Sequence, residues 1–196
     1  MKAFAPILEA IEFLKGLSQT WFVSGGWAID LFLRNVTRAH ADTEIGIYRS
    51  EQDVFRRQFP NWLFDKPIQT QEGRKWVRWA QTEELRLPIH QVRATSPGAK
   101  GARLEFFLNE RSETHWVSRR HPELTRPLDE VVIMSFLDLP ILAPEVQLYF
   151  KAEQTRPKDQ ADFELTVPRL NSTQRTWLAS ALHKHHPDHA WLEAFK

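Results

Sequence analysis

The chain has 196 residues, enough for one domain and a small subdomain, with 42% apolar and 26% charged residues. Its 26 Lys and Arg against 25 Asp and Glu leave a net charge of +1, which gives no reason to expect a dedicated nucleic-acid binder. The absence of cysteine excludes disulfides, thiolate nucleophiles and cysteine-based zinc sites. No stretch approaches the roughly 18 apolar residues of a membrane span and the amino terminus lacks a signal-peptide pattern, so the expected setting is cytoplasmic, with no membrane partner.

In chain order, Pro6 suits the first turn of a helix that carries Ile7, Leu8, Ile11, Leu14 and Leu17 at helical spacing and weakens at Gly16. Trp21-Phe22-Val23 reads as a short buried strand, Ser24-Gly25-Gly26 as a tight turn, and Trp27 to Leu33 as a helix leaving it. Glycines at a strand-to-helix junction let the backbone approach a phosphate with no side chain between. Thr43 to Tyr48 alternates as a strand, Ile45 and Ile47 on one face and Glu44 and Gly46 on the other. Ser50 with Asp53 has the spacing of a capping box opening a helix through about Phe59.

From Asn61 to Ala94 the segments Trp62–Phe64, Trp76–Trp79 and Pro88–Val92 read as strands joined by loops, and Ser96 to Gly101 is a loop signal. Leu104 to Leu108 is a further strand with Glu105 facing away from Leu104 and Phe106. From about Pro140 the character turns helical: one helix from Pro144, one over Lys158 to Leu165, one over Ser172 to His183. The fold class is α+β, a mixed sheet with helices over residues 1–137 followed by a helical part over 138–196.

The residues with chemistry to offer are Gly25-Gly26, then Asp42-Thr43-Glu44, then Glu105. Carboxylates two apart on a strand share a face, about 6.5–7 Å apart along the chain, and can approach one divalent ion from one side. A third acid on a neighbouring strand would close the cluster. Such hard oxygen ligands suit Mg²⁺ that also bridges substrate phosphates. Taken singly, an acid pair on a strand is more often a solvated face, and Gly-Gly an ordinary turn.

Taken together, the segment Trp21 to Ile47 resembles the core of aminoglycoside and lincosamide nucleotidyltransferases of the DNA polymerase β superfamily. The features that carry the resemblance are Gly25-Gly26-Trp27-Ala28-Ile29-Asp30, Thr37-Arg38 followed by His40, and the pair Asp42 and Glu44. It continues more loosely through Leu104–Leu108, Leu142–Glu145 and Arg156–Phe163. The resemblance implies a nucleotidyltransferase fold and transfer of an NMP group from an NTP, ATP being the expected donor, to a hydroxyl of a small molecule. It implies that Ser24, Gly25 and Gly26 hold the triphosphate, that Asp42 and Glu44 bind Mg²⁺, and that Glu105 is the third metal ligand or a general base. Lys151 is the candidate phosphate contact and Lys158 a weaker one. The family pattern has Asp where this chain has Glu44 and Glu105, and the extra methylene moves a ligand oxygen by roughly 1 Å. Two other readings stand beside the first: a protein or RNA acceptor, as in toxin–antitoxin-type relatives, and a catalytically weakened domain that binds a nucleotide or partner.

Other polar residues read as structural. His183, His185, His186 and His189 mark a helix end rather than a ligand set. His40 reads as a structural hydrogen-bonder and Asp30 as a helix-surface residue. Lys158, Asp159 and Asp162 have the spacing of a surface ion pair, and Trp76 and Trp79 that of edge-strand aromatics packing on the core.

Overall fold

The computed structural model describes residues 2–96 and 104–196. Pro97 to Gly101 of the expected loop lie outside the described residues. The first helix is α1 (Ala5–Ala10), continued by a 3₁₀ turn at Glu12–Leu14 rather than by one unbroken helix. Ile7, Ile11 and Leu14 are nonetheless all fully buried, because the apolar face survives the change of winding. β1 (Trp21–Ser24) leads straight into α2 (Gly25–Leu33), and β2 (Thr43–Tyr48) follows. α3 (Gln52–Arg57) is preceded by a 3₁₀ turn at Arg49–Glu51. Its N-cap is Glu51, without a side-chain cap, so the expected box at Ser50 and Asp53 does not form.

The middle of the chain supplies β3 (Leu63–Thr70), β4 (Gly73–Arg78), β5 (Gln91–Thr95) and β6 (Leu104–Arg111). Five short elements follow where no periodicity signals them: β7 (His115–Val117), β8 (Thr125–Pro127), α4 (Leu128–Val131), β9 (Val132–Met134) and β10 (Pro140–Leu142). The turn to helix therefore comes at Pro144, after one more strand. α5 (Pro144–Ala152), α6 (Pro157–Thr166) and α7 (Ser172–His185) complete the chain. α7 opens on a capping box in which Asn171 accepts from the Gln174 amide at 2.9 Å and the Gln174 side chain accepts from the Asn171 amide at 3.1 Å.

The strands form one mixed sheet in the order β4-β3-β5-β6-β2-β1-β10-β9, with β7 and β8 branching from β6. β2 lies antiparallel to β1 and parallel to β6, and β10 runs parallel to β1. One face carries Val23, Ile45, Ile47, Leu104, Phe106 and Leu108, packed with α1, α2 and Phe55 of α3. The expected alternation in β2 and β6 thus holds. A second core joins Leu148 and Tyr149 of α5, Phe163 of α6, and Leu178 and Leu182 of α7. α2 belongs to both, since Ile29 packs in the second core while Trp27, Ala28 and Leu31 pack in the first. No helix among the described residues is long and apolar enough to cross a membrane.

Candidate active site

Register places the site. Ser24 on β1 is the lateral partner of Glu44 on β2, and Glu44 is the partner of Glu105 on β6. Adjacent strands lie about 4.8 Å apart, so the three polar side chains form a row across the sheet, on the face away from the aliphatic core. Asp42 enters this row just before β2 begins. Above it, α5 and the start of α6 close a cavity of about 480 Å³ lined by Ser24, Asp42, Glu44, Glu105, Gln147, Lys151, Arg156, Lys158 and Asp159. Gln91, Phe107, Asn109, Arg119, Arg120, Phe150 and Glu153 line it as well.

Gly25 is glycine for two reasons. Its φ is +68°, a region unfavourable to any Cβ, and a Cβ there would collide with the Glu44 carboxylate. Its amide donates to Oε1 of Gln147 on α5 at 2.6 Å, which ties the turn to the roof of the cavity. Gly26 clears space for Arg38 and His40, against which a Cβ would collide. The Ser24 hydroxyl is buried in the cavity wall with no hydrogen-bond partner.

The acids of the row are not equivalent. Among the described residues Asp42 and Glu44 make no hydrogen bond or ion pair. Burial holds the Glu44 carboxyl above its ordinary range, Lys151 pulls it back, and Glu105 and Asp42 push it further up. Glu105 instead accepts from Arg93 Nε at 3.0 Å and from the Gln91 amide. The three carboxylates do not converge within 4.8 Å as a single ligand set. They stand as a pair, Asp42 and Glu44, beside a third that is held by Arg93 and Gln91. Glu44 and Asp42 could hold a cation between them; Glu105 is oriented by its neighbours rather than by the pair.

Lys151 lies in the cavity wall, 8% exposed, with its ammonium 2.8 Å from Asp159 and 2.9 Å from Asp162. Lys158 lines the same cavity and makes no ion pair among the described residues. Of the two expected phosphate contacts, Lys158 is the one whose charge is not already matched.

Chain comparison agrees with this architecture. A family model for aminoglycoside-2''-adenylyltransferase matches residues 6–165. The chain belongs to that family. It is thus a member of a family of nucleotidyltransferases, as the segment from Trp21 to Ile47 led us to expect. No curated protein matches significantly in sequence. Among solved structures, the lincosamide antibiotic adenylyltransferase LnuA with lincomycin bound is 17% identical with a TM-score of 0.51, over 84% of this chain and 94% of that one. ANT(2'')-Ia in complex with adenylyl-2''-tobramycin is 12% identical with a TM-score of 0.52, over 94% of this chain and 99% of that one. Its solution structure is 14% identical with a TM-score of 0.51, over 96% and 98%. At these identities the likeness is one of fold.

Within this family member, three residues set aside as surface features turn out to build the site. Asp30 is fully buried and accepts from the Thr37 amide at 3.1 Å, the Thr37 hydroxyl at 2.6 Å and His40 Nε2 at 2.6 Å. An Arg38 N–H points at His40 Nδ1 at 3.0 Å, which puts the imidazole proton on Nε2, facing Asp30. Arg38 also grips Asp162 of α6 with two bonds of 3.1 and 3.2 Å. Thr37, Arg38 and His40 therefore pin the loop before Asp42 to both α2 and α6. His40 is the structural hydrogen-bonder it was expected to be.

Asp159 and Asp162 are not a surface pair, being 1% and 2% exposed. Burial alone would raise the Asp159 carboxyl, yet hydrogen bonds from Arg156 and Lys151 bring it down to about 2. Asp162 is lowered too, the bonds from Arg38 and the charge of Lys151 outweighing its burial. Arg119, missed in the sequence, reaches the far end of the cavity and lies 4.5 Å from the centre of the Phe150 ring. Burial and the neighbouring Arg120 lower its guanidinium to about 10. The consecutive arginines after Ser118 were the available signal.

Proposed function

We propose that the chain transfers an NMP group, AMP from ATP in the first instance, to a hydroxyl of a small molecule in a cytoplasmic setting. The observation that carries this reading is the pair Asp42 and Glu44, without a hydrogen bond or ion pair among the described residues, beside the unpartnered Ser24 hydroxyl in one cavity. Two neighbouring carboxylates repel each other until a cation joins them, and two carboxylates completed by phosphate oxygens and waters are the usual surroundings of Mg²⁺. The donor set therefore fits one such ion. When bound, Mg²⁺ would neutralise charge on the triphosphate and polarise the phosphorus under attack.

The chain's own residues supply the remainder. Ser24 faces the triphosphate, while the Gly25 amide, taken up by Gln147, braces the turn behind it. Lys158, and Lys151 behind it, add positive charge beside the phosphates. Glu105, oriented by Arg93 and Gln91, takes the proton of the acceptor hydroxyl as its oxygen bonds to the α-phosphorus and pyrophosphate leaves. The cavity lining has five acidic and five basic side chains, mixed rather than the long basic groove an RNA acceptor would favour. A small-molecule acceptor of the aminoglycoside or lincosamide kind is the better match.

Calorimetry of ATP and GTP with Mg²⁺ tests the site, on the wild-type chain and an Asp42→Ala/Glu44→Ala variant. Metal-dependent binding lost in the variant is the expected result, followed by mass spectrometry for an adenylylated product across a panel of aminoglycosides and lincosamides. Binding that survives in the variant places the nucleotide elsewhere and overturns the reading.

A further inference from the structure

The helix end rich in histidine gains a meaning once its neighbour is known. Ser118 to Leu124 forms the tip between β7 and β8, closed by bonds from the Ser118 amide to the Leu124 carbonyl at 2.9 Å and from the Leu124 amide to the His121 carbonyl at 2.8 Å. That tip lies against the last residue of α7. The rings of His121 and His185 stack with centroids 4.0 Å apart and 28° between planes. Both present Nδ1 to the same carboxylate oxygen, Oε1 of Glu123, at 3.9 Å for His121 and 3.5 Å for His185.

These separations are too long for hydrogen bonds. The His185 side chain is only 4% exposed, its Nε2 is buried with no partner, and among the described residues neither of its ring nitrogens makes a hydrogen bond. A buried, unsatisfied imidazole is uncommon and calls for a partner. A metal on the Nδ1 side would leave Nε2 as it is, so the atom that matters is Nδ1 of His185, which also makes no hydrogen bond and faces Glu123. Two nitrogens and one carboxylate oxygen lie within 4.8 Å of one another. A tetrahedral zinc site with bonds of about 2.0–2.1 Å separates its ligand atoms by about 3.3 Å. The two nitrogen-to-oxygen separations, 3.5 and 3.9 Å, stand close to that value, and the stacked rings would have to turn about their side-chain bonds to aim both lone pairs at one ion.

We propose that His121, Glu123 and His185 bind a divalent transition metal of the zinc type, with water completing the shell. Mixed nitrogen and oxygen ligands favour such a metal over Mg²⁺ or Ca²⁺, which take oxygen alone. The site is separate from Asp42 and Glu44 and does not depend on the transfer reaction. Its place in the fold suggests its use. Arg119 and Arg120, adjoining His121, line the cavity, and Arg120 reaches Glu153 at 3.5 Å and the Phe150 carbonyl at 3.3 Å. A metal there clips the β7–β8 tip to α7 and holds the cavity's arginine wall in place.

The test is titration of the metal-free, tag-free full chain with Zn²⁺ by calorimetry. We expect one ion per chain, retained in the Asp42→Ala/Glu44→Ala variant and not displaced by excess Mg²⁺. His121→Ala and Glu123→Ala, both at partly exposed side chains, should each weaken binding at least tenfold, while His183→Ala should not. The thermal midpoint should rise with Zn²⁺ in the wild type and not in His121→Ala. No uptake, uptake lost with Asp42 and Glu44, or uptake that His121→Ala and Glu123→Ala leave unchanged would each overturn the proposal.

Discussion

Two sets of acidic side chains lie in or beside the cavity and differ in what surrounds them. Asp159 and Asp162 are almost wholly buried, and Lys151, Arg38 and Arg156 match them. Asp42 and Glu44 are half-buried, and among the described residues no ion pair or hydrogen bond matches them. The first set is closed, each carboxylate satisfied by donors as burial requires. The second set makes no such contact, and Lys151 and Lys158 act on Glu44 only through space. One group of acids therefore holds the site together, while the other is available to a ligand.

The sharpest way to break this contrast is through turnover. Glu44→Gln keeps the shape and removes the charge, so transfer should fall on the order of 10³-fold while urea unfolding shows a chain as stable as wild type or more so. A fall in stability instead would assign Glu44 to the closed set. Asp162→Ala should do the opposite. It strands Arg38 and leaves Lys151 with Asp159 alone, and should cost about 3 kcal/mol in unfolding free energy; a change under about 1 kcal/mol would place Asp162 among ordinary surface ion pairs.

Acid titration separates the two sets by sign. Glu44, held above the ordinary carboxylate value of 4.5, keeps its proton in the fold after the unfolded chain has lost it. It therefore weakens folding as pH rises from that value through its raised one. Binding of Mg²⁺-nucleotide, which needs the proton gone, should strengthen over the same interval, and Glu44→Gln should remove that dependence. Asp159, brought down from 3.8 to about 2, contributes stability that is full above its unfolded value and lost as pH falls toward about 2. Asp159→Asn should flatten that acid limb.

The smallest effect is expected at Ser24. Its buried hydroxyl has no partner, so Ser24→Ala should leave stability unchanged or raise it by up to about 1 kcal/mol. Nucleotide affinity should drop by about tenfold. Unchanged affinity would take Ser24 out of the phosphate-facing wall.

Much of this architecture was legible in the residues. β1, β2 and β6 and the helix after the glycines were read where they occur, since alternation and helical spacing are properties of the local chain. The five short elements between His115 and Leu142 were not, because three- or four-residue pieces interrupted by proline carry no period to detect. Asp30, Asp159 and Asp162 looked like surface acids because nothing local distinguishes a solvated carboxylate from a matched one. Arg38 and Asp162 lie 124 positions apart. His185 was read as a helix end, correctly, but its companions His121 and Glu123 come from a hairpin tip more than sixty positions earlier.

By itself the sequence determined the acid pair, the glycine turn and the facing of Glu44 and Glu105 away from Ile45 and Phe106, because side chains alternate along any extended chain. Only the tertiary structure decided that Ser24, Glu44 and Glu105 share one row, since register is set between strands. It also decided which carboxylates receive cations and which do not, because charge matching depends on side chains brought together from distant parts of the chain.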